Sequence, residues 1–302
     1  MIIRPRPTFF QLFFIMRGSV IPRIAPQLLG FALYAAAAVL LVRHFQIQFG
    51  ATGLAPFTLL GVALSIYLGF RNNAAYDRWW EARKLWGQMV FEIRNLTRAA
   101  MALIPADSGA TRPLLMAALA FCHQLRGQLR NVDVSHEAAR FLGAEAPAIA
   151  PFSNRADAVL RGMGQRIGQL RAAGRIDAMD FRILDERLST LAALQAGCER
   201  IANTPLPFAY TLLLHRAAYI FCMMLPFGLA ASLGWLTPLF TVVIAYSFFG
   251  LDALSEELED PFGMEMNDLP LDRMCRVCEI SVFEALGEQA PAPMKEVDYF
   301  SS

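Results

Sequence analysis

One histidine and four carboxylates near the apolar parts of the chain are the residues whose types could carry out chemistry. His215 precedes a long uncharged run, and four acidic residues follow it: Glu256, Glu257, Glu259 and Asp260. Side chains three or four positions apart share a helix face, so this set could hold a divalent metal or form an acid/base pair. The HExxH spacing of zinc enzymes is absent, and carboxylates at a helix end are more typical of an ion-pair network. A membrane-embedded metal-dependent enzyme therefore stays an alternative.

The cysteines give a weaker indication of chemistry. Cys275 and Cys278 form one CxxC spacing, but a metal or redox site of this kind usually adds a second pair or nearby histidines. The spacing favours two thiols on one helix face. The five cysteines show no disulfide spacing, which indicates a reducing compartment for the soluble parts of the chain.

A stripe of apolar side chains starts the stretch from Phe57 to Trp86. Its members recur every four residues and share one side of a helix: Val62, Ile66 and Phe70. A second row lies beside it and would let another helix or another subunit approach closely: Gly61, Ser65 and Gly69. The helix pattern continues past Arg71 into polar sequence without a proline or glycine break. The stripe must therefore face something.

The composition indicates a membrane protein with several spans. The chain has 302 residues, 56% of them hydrophobic, with a mean hydropathy of +0.39, whereas soluble domains have about 45–50% apolar residues. The net charge of +1 hides an asymmetry, because residues 1–251 carry 24 Lys and Arg against 13 Asp and Glu, while residues 252–302 carry 3 against 13. The molecule is basic with an acidic end.

Helical periodicity and uncharged runs predict an all-α fold with four transmembrane helices, over residues 24–43, 57–100, 208–233 and 237–258. Only about 14 apolar residues precede Arg71 in the second helix, so this helix must be sheltered by neighbours or face a water-filled space. The third helix brings Arg216 close to the bilayer, where an arginine is either functional, paired or snorkelling to the interface.

The remaining segments are predicted to be cytosolic. Residues 1–23 form an amphipathic segment at the membrane surface, with arginines that include Arg4 and Arg6, and residues 101–204 form a helical bundle. Residues 259–302 form an acidic C-terminal segment, which either is solvated or self-docked, or binds an ion or a partner. Four arginines precede the first span and one follows it, which places both termini in the cytosol if the number of spans is even.

Four motifs in this order resemble the bestrophin family in its bacterial branch. They are Arg17-Gly-Ser-Val20, Gly69-Phe70 followed by Arg78-Trp79-Trp80, Pro205-Leu-Pro207, and the run from Glu256 to Gly263 that ends in Pro-Phe-Gly. The resemblance covers roughly residues 10–100 and 195–285. It implies a homopentamer around a central pore, with the second helix lining the pore from the membrane into a cytosolic vestibule.

The resemblance also implies two constrictions. A neck of three apolar rings falls on Val62, Ile66 and Phe70, where it would act as a hydrophobic gate, and eukaryotic relatives favour an aromatic residue at the position of Ile66. A cytosolic aperture of one apolar ring falls on Ile183, judged from its distance before Cys198, with the neighbouring Leu184 as the alternative.

Calcium is not an expected cofactor. Eukaryotic relatives hold a calcium ion just after the Pro-Phe-Gly motif, and the matching stretch here, residues 264–268, keeps two carboxylates, Glu265 and Asp268. Ca²⁺ takes six to eight oxygen ligands. Backbone carbonyls and Asp272 could add to this degenerate metal position, but the sequence predicts that no cofactor is required.

The resemblance implies a non-enzymatic channel for passive flux of small monovalent ions, with chloride as the family default. A sodium or other monovalent-cation channel of the same fold is the close alternative, and a membrane scaffold without conduction is a further one. The expected partners are other copies of the chain, the lipid bilayer and the permeant ions, without nucleic acid. The expected location is the bacterial inner membrane, as a multi-pass protein.

Overall fold

The predicted all-α fold is confirmed by a computed structural model, which describes residues 1–2, 8–46, 55–296 and 299–300. These residues contain no strand, and one isolated bridge pairs Ile2 with Phe300. The α-helices are α1 Phe9–Phe14, α2 Ile21–His44, α3 Ala55–Leu103, α4 Thr111–Arg130, α5 Ser135–Leu142, α6 Ala146–Ile149, α7 Arg155–Ala172, α8 Ala178–Asn203, α9 Phe208–Leu233, α10 Thr237–Glu259 and α11 Leu271–Ala285.

The chain divides into two compact units. The apolar unit comprises Pro5–Trp79 and Pro205–Asp260, and the polar unit comprises Met1–Arg4, Trp80–Thr204 and Pro261–Ser302. Helix α3 contributes its first part to the apolar unit and its second part to the polar unit.

Two stretches of the apolar unit are long and apolar enough to cross a membrane, Ile21–His44 and Phe208–Glu259. The second stretch contains α9 and α10, and a turn that begins at Gly234 separates the two helices. The φ of Gly234 is +53°, a value that suits a residue without a side chain. The predicted spans over residues 24–43, 208–233 and 237–258 lie in α2, α9 and α10, and that over residues 57–100 lies in α3.

The core of the apolar unit forms where α2, α9 and α10 pack together. Leu64 and Leu68 of α3 are buried in this core beside Phe221 and Leu225 of α9. Gly228 of α9 permits the closest approach, because a Cβ there would lie 2.6 Å from the ring of Phe57. One face of α3 is therefore committed to packing inside the chain.

Helix α1 carries large apolar side chains that the rest of the chain leaves exposed: Phe9, Phe10, Leu12 and Phe14. This exposure fits a segment at a membrane surface. Arg4 and Arg6, which contribute to the predicted amphipathic pattern, lie outside the described residues.

The polar unit is built around α4, which packs against α5, α7, α8 and α11. One face of α8 is buried along its length through Leu184, Leu188, Leu191 and Leu194. The start of α8 is fixed by Asp177, whose side chain accepts hydrogen bonds from the backbone N–H groups of Met179 and Asp180.

The acidic C-terminal segment is docked on the polar unit over its described part. Glu288 pairs with Arg112 at 2.6 Å, and Glu296 pairs with Arg273 at 2.9 Å. Of the two alternatives for this segment, its contacts favour self-docking.

A buried histidine–carboxylate pair joins α4 to α11. His123 Nε2 lies 2.8 Å from Glu279 Oε1, and Arg276 and Arg140 approach the other carboxylate oxygen at 3.3 and 3.7 Å. Burial alone would raise the pKa of Glu279, but the hydrogen bond with His123 and the charges of His123, Arg276 and Arg140 outweigh it, so the pKa is lowered from 4.5.

The interactions that lower the pKa of Glu279 stabilise the folded protein, and replacement of Glu279 by Gln should remove that stabilisation. A lowered folded-state pKa stabilises the protein above the unfolded-state pKa, and that stability is lost as the pH falls through the folded-state value. The Tm of Glu279→Gln should therefore be several degrees lower at pH 7 and fall less steeply than wild type between about pH 5 and about pH 3. Thermal unfolding of detergent-solubilised protein measures both. Glu288→Gln, in an exposed pair, is the control, and a wild-type profile for Glu279→Gln would contradict the prediction.

Candidate functional site

The predicted stripe lies on one exposed face of α3. Val62, Ile66 and Phe70 have 55%, 52% and 60% of their surface exposed, and they lie one helical turn apart. Leu64 and Leu68 point from the opposite side of the helix into the core. Three turns of an apolar helix therefore present their large side chains to the outside of the single chain.

The predicted row of small residues behaves differently along its length. A Cβ at Gly61 would lie 3.2 Å from the Phe221 ring of α9, so this glycine already allows a close approach within the chain. Ser65 donates its hydroxyl to the carbonyl of Gly61 at 2.8 Å, and a Cβ at Gly69 would have no described atom within 4 Å. The approach of another subunit at Ser65 and Gly69 remains a prediction.

An open apolar groove runs beside the stripe. Its volume is about 480 Å³, and it lies between Val62 and Ile66 of α3 and Phe221, Leu225 and Phe248 of α9 and α10. Its lining is almost entirely apolar and offers no set of ligands for a dehydrated ion. The chemistry available on this face of the apolar unit is therefore exclusion of water, and not coordination.

A buried ion-pair network begins one residue after the stripe. Arg71 is fully buried and donates from Nη1 to Asp252 of α10, while its Nη2 lies 3.9 Å from Glu259 Oε2. The second carboxylate oxygen of Asp252 is 2.8 Å from His215 Nδ1 of α9. Three helices of the apolar unit thus share one pair of buried charges.

The structure does not assemble the carboxylates considered for metal or acid/base chemistry around His215. Glu256 pairs with Arg23 of α2, and Glu259 accepts a hydrogen bond from the backbone N–H of Leu206 at 2.9 Å. His215 is bonded to Asp252, which was not in the predicted set. Within the part of the chain that the structure describes, no three His, Cys, Asp or Glu residues could hold a metal ion.

Sequence reasoning missed Arg71 and Asp252 as partners. The available signal was their position, because each is the first charge after an uncharged run of a membrane helix. Charges at such places must be paired when the helices pack.

The predicted aperture residue lies on the surface of α8. Ile183 is 36% exposed, and Met179, one turn earlier on the same side, is 60% exposed. The alternative, Leu184, is fully buried in the polar unit and so faces no lumen in this fold. Ile183 remains the predicted aperture, and Leu184 is a core residue.

The predicted calcium position is a loop held by the protein's own groups. Asp268 is buried and accepts a hydrogen bond from the backbone N–H of Glu265 at 2.6 Å, while Glu265 itself is exposed. Arg130 donates to the carbonyls of Phe262 and Leu269 at 3.2 and 3.1 Å. A guanidinium thus binds carbonyl oxygens at the two ends of this loop, and Asp268 is engaged with the loop's own backbone.

Similarity to known proteins covers nearly the whole chain. Residues 1–284 match the family described as Bacterial/Fungal Bestrophin protein. A relative from Mesorhizobium japonicum is 64% identical over 100% of this chain and 97% of its own length, and one from Escherichia coli K12 is 42% identical over 98% and 97%. Both are named voltage-dependent anion channel-forming proteins.

A solved structure shares the fold. The crystal structure of a bacterial bestrophin homolog from Klebsiella pneumoniae has a TM-score of 0.84 and 40% identity, over 88% of this chain and 99% of the other. The sequence-based resemblance is therefore confirmed, and the protein is a membrane protein of a channel family and not an enzyme. The chain belongs to the bacterial and fungal bestrophin family of ion channels.

Proposed function

We propose that the protein is a homopentameric channel for the passive flux of small monovalent anions, with chloride as the reference ion. The observation that carries this proposal is the exposed apolar stripe of Val62, Ile66 and Phe70 on a helix whose opposite face is packed. Exposed apolar patches of this kind mark an interaction surface or a pore lining. Five copies of α3 around one axis would shelter its short apolar part from lipid.

The stripe acts as a hydrophobic gate in this proposal. Each of its three rings offers only carbon atoms, so no ring replaces the hydration shell of an ion, and a narrow ring expels water. Widening of the rings restores a continuous water column and conduction. Ile183 forms a second, cytosolic constriction, where its exposure on α8 supports a lumen-facing role.

Anion preference is supported by two independent facts. The relatives at 64% and 42% identity are named as anion channels, and residues 71–203 contain 18 Lys and Arg against 13 Asp and Glu. An excess of positive charge raises the local anion concentration. Sodium or another monovalent cation is the competing permeant ion.

The long apolar helices and the exposed face of α1 support a membrane location for this channel. The protein lies in the bacterial inner membrane as a multi-pass protein with cytosolic termini, and the exposed phenylalanines of α1 contact the bilayer surface. No cofactor is required for conduction.

Reversal potentials in asymmetric NaCl should distinguish the two ions. With a higher NaCl concentration on one side of a planar bilayer, anion and cation conduction shift the reversal potential in opposite directions. We expect the shift toward the chloride equilibrium potential. A shift toward the sodium potential would establish the cation alternative, and an absence of current would favour a scaffold.

Replacement of a neck residue by alanine should raise ion flux. Ile66→Ala or Phe70→Ala shortens a side chain at the constriction, which lowers the barrier to hydration, and an increase of about tenfold or more is expected in a liposome flux assay. Leu60→Ala is the matched control, since Leu60 is 49% exposed on the same helix but off the stripe. Wild-type flux in both neck variants would contradict the gate.

Alanine substitutions at the neighbouring positions Ile183 and Leu184 should have different effects, one on ion flux and the other on stability. Ile183→Ala should change flux or its ion preference with little change in Tm, because the side chain is exposed. Leu184→Ala leaves a cavity in the core and should cost about 2–5 kcal/mol of stability. Flux and thermal unfolding, measured on the same preparations, check both. If Ile183→Ala lowers the stability as much as Leu184→Ala and leaves the flux unchanged, Ile183 does not form the aperture.

Calcium should not be needed for flux. The loop at residues 261–269 is closed by Arg130 and Asp268, so flux in a calcium chelator should equal flux in millimolar calcium. Glu265→Gln should leave both unchanged. A calcium-dependent flux that Glu265→Gln abolishes would restore the calcium site.

A further inference from the structure

Arg71 is a buried cation beside the proposed neck that the gate itself does not use. Its side chain has no exposure, although it follows directly after Phe70, which is 60% exposed. Among the described residues its Nε and Nη2 atoms make no hydrogen bond, and its Nη1 donates to Asp252. Asp252 is therefore the main compensation for this charge, with Glu259 a more distant second at 3.9 Å.

Asp252 connects three helices through its two oxygens. One oxygen accepts from Arg71 of α3, and the other lies 2.8 Å from His215 Nδ1 of α9. The ring of His215 packs against that of Tyr219, one turn later on α9, with 4.7 Å between the ring centroids. The carboxylate thus holds α3 against both α9 and its own helix, α10.

The geometry of α3 couples Arg71 to Phe70. Consecutive residues of an α-helix are about 100° apart around its axis. A rotation of α3 that removes Phe70 from the exposed face therefore also moves Arg71 away from Asp252. With the ion pair intact, that movement separates two buried opposite charges.

We propose that Arg71 and Asp252 are positioning residues for the neck, whose ion pair holds α3 in the rotation that directs Phe70 into the pore. This inference rests on the proposed neck gate. Loss of the Asp252 charge leaves the buried guanidinium with only the more distant Glu259 as compensation, and water in the pore is then its nearest favourable surrounding. Helix α3 then turns, Phe70 leaves the constriction, and a positive charge approaches the lumen.

Asp252→Asn should therefore raise anion flux in liposomes about tenfold or more, as Phe70→Ala does. The control is Glu256→Gln, an equivalent change one turn later on α10, where the carboxylate pairs with an exposed Arg23. Its flux should stay within about twofold of wild type. Asp252→Glu keeps the negative charge, so its flux should stay close to that of wild type and below that of Asp252→Asn.

The double variant Arg71→Met with Asp252→Asn separates positioning from simple damage. Removal of both charges leaves nothing to drive α3 toward water, and a buried ion pair can often be replaced by apolar groups without loss. Flux of the double variant should return to within about twofold of wild type. A purely structural defect would instead persist or worsen in the double variant.

Each outcome decides the proposal. High flux in Asp252→Asn that the double variant reverses supports it, as does assembly of the double variant where Asp252→Asn alone fails to assemble on size exclusion. Wild-type flux in Asp252→Asn, a double variant as leaky as Asp252→Asn, or failure of both to assemble would overturn it. Unchanged flux in both Ile66→Ala and Phe70→Ala would remove the gate and this inference with it, while the reversal potential would still decide whether the protein is an anion channel.

Discussion

A buried ion pair between Arg71 and Asp252 ties α3 to α10 inside the apolar unit. A fully buried guanidinium is strongly unfavourable unless a carboxylate compensates it, and its partner lies 181 residues later in the chain. The pair holds α3 by the side that carries Arg71. The apolar stripe that ends in Phe70 stays more than half exposed in the single chain.

Much of this helix could be predicted from the sequence because its pattern is local. A four-residue repeat places Val62, Ile66 and Phe70 on one side of any α-helix, whatever surrounds it. The boundary between α9 and α10 was equally local, since Gly234 and Pro238 disfavour a continuous helix there. The all-α fold and the family followed from such patterns in fixed order along the chain.

The pairing of charges could not be predicted, because it depends on which helices become neighbours. Arg71 marked the end of an apolar run in the sequence, and Asp252 was passed over in favour of the carboxylates that follow it. Ile183 and Leu184 show a related limit. The distance in sequence before Cys198 fits either residue as the aperture. The two side chains point about 100° apart around the helix, and only packing decides which of them is buried.

The basic excess of residues 71–203 overstates the free positive charge of this region. The basic excess of residues 71–203 suggests a strong positive field, yet many of these arginines pair with carboxylates: Arg126 with Glu137, Arg175 with Asp107, Arg187 with Glu92 and Arg200 with Glu81. A paired charge produces a field that falls off much faster than that of a single charge, and salt screens it further. The field that attracts anions must come from the unpaired remainder. The similarity to relatives named as anion channels therefore supports anion preference more strongly than the net charge does.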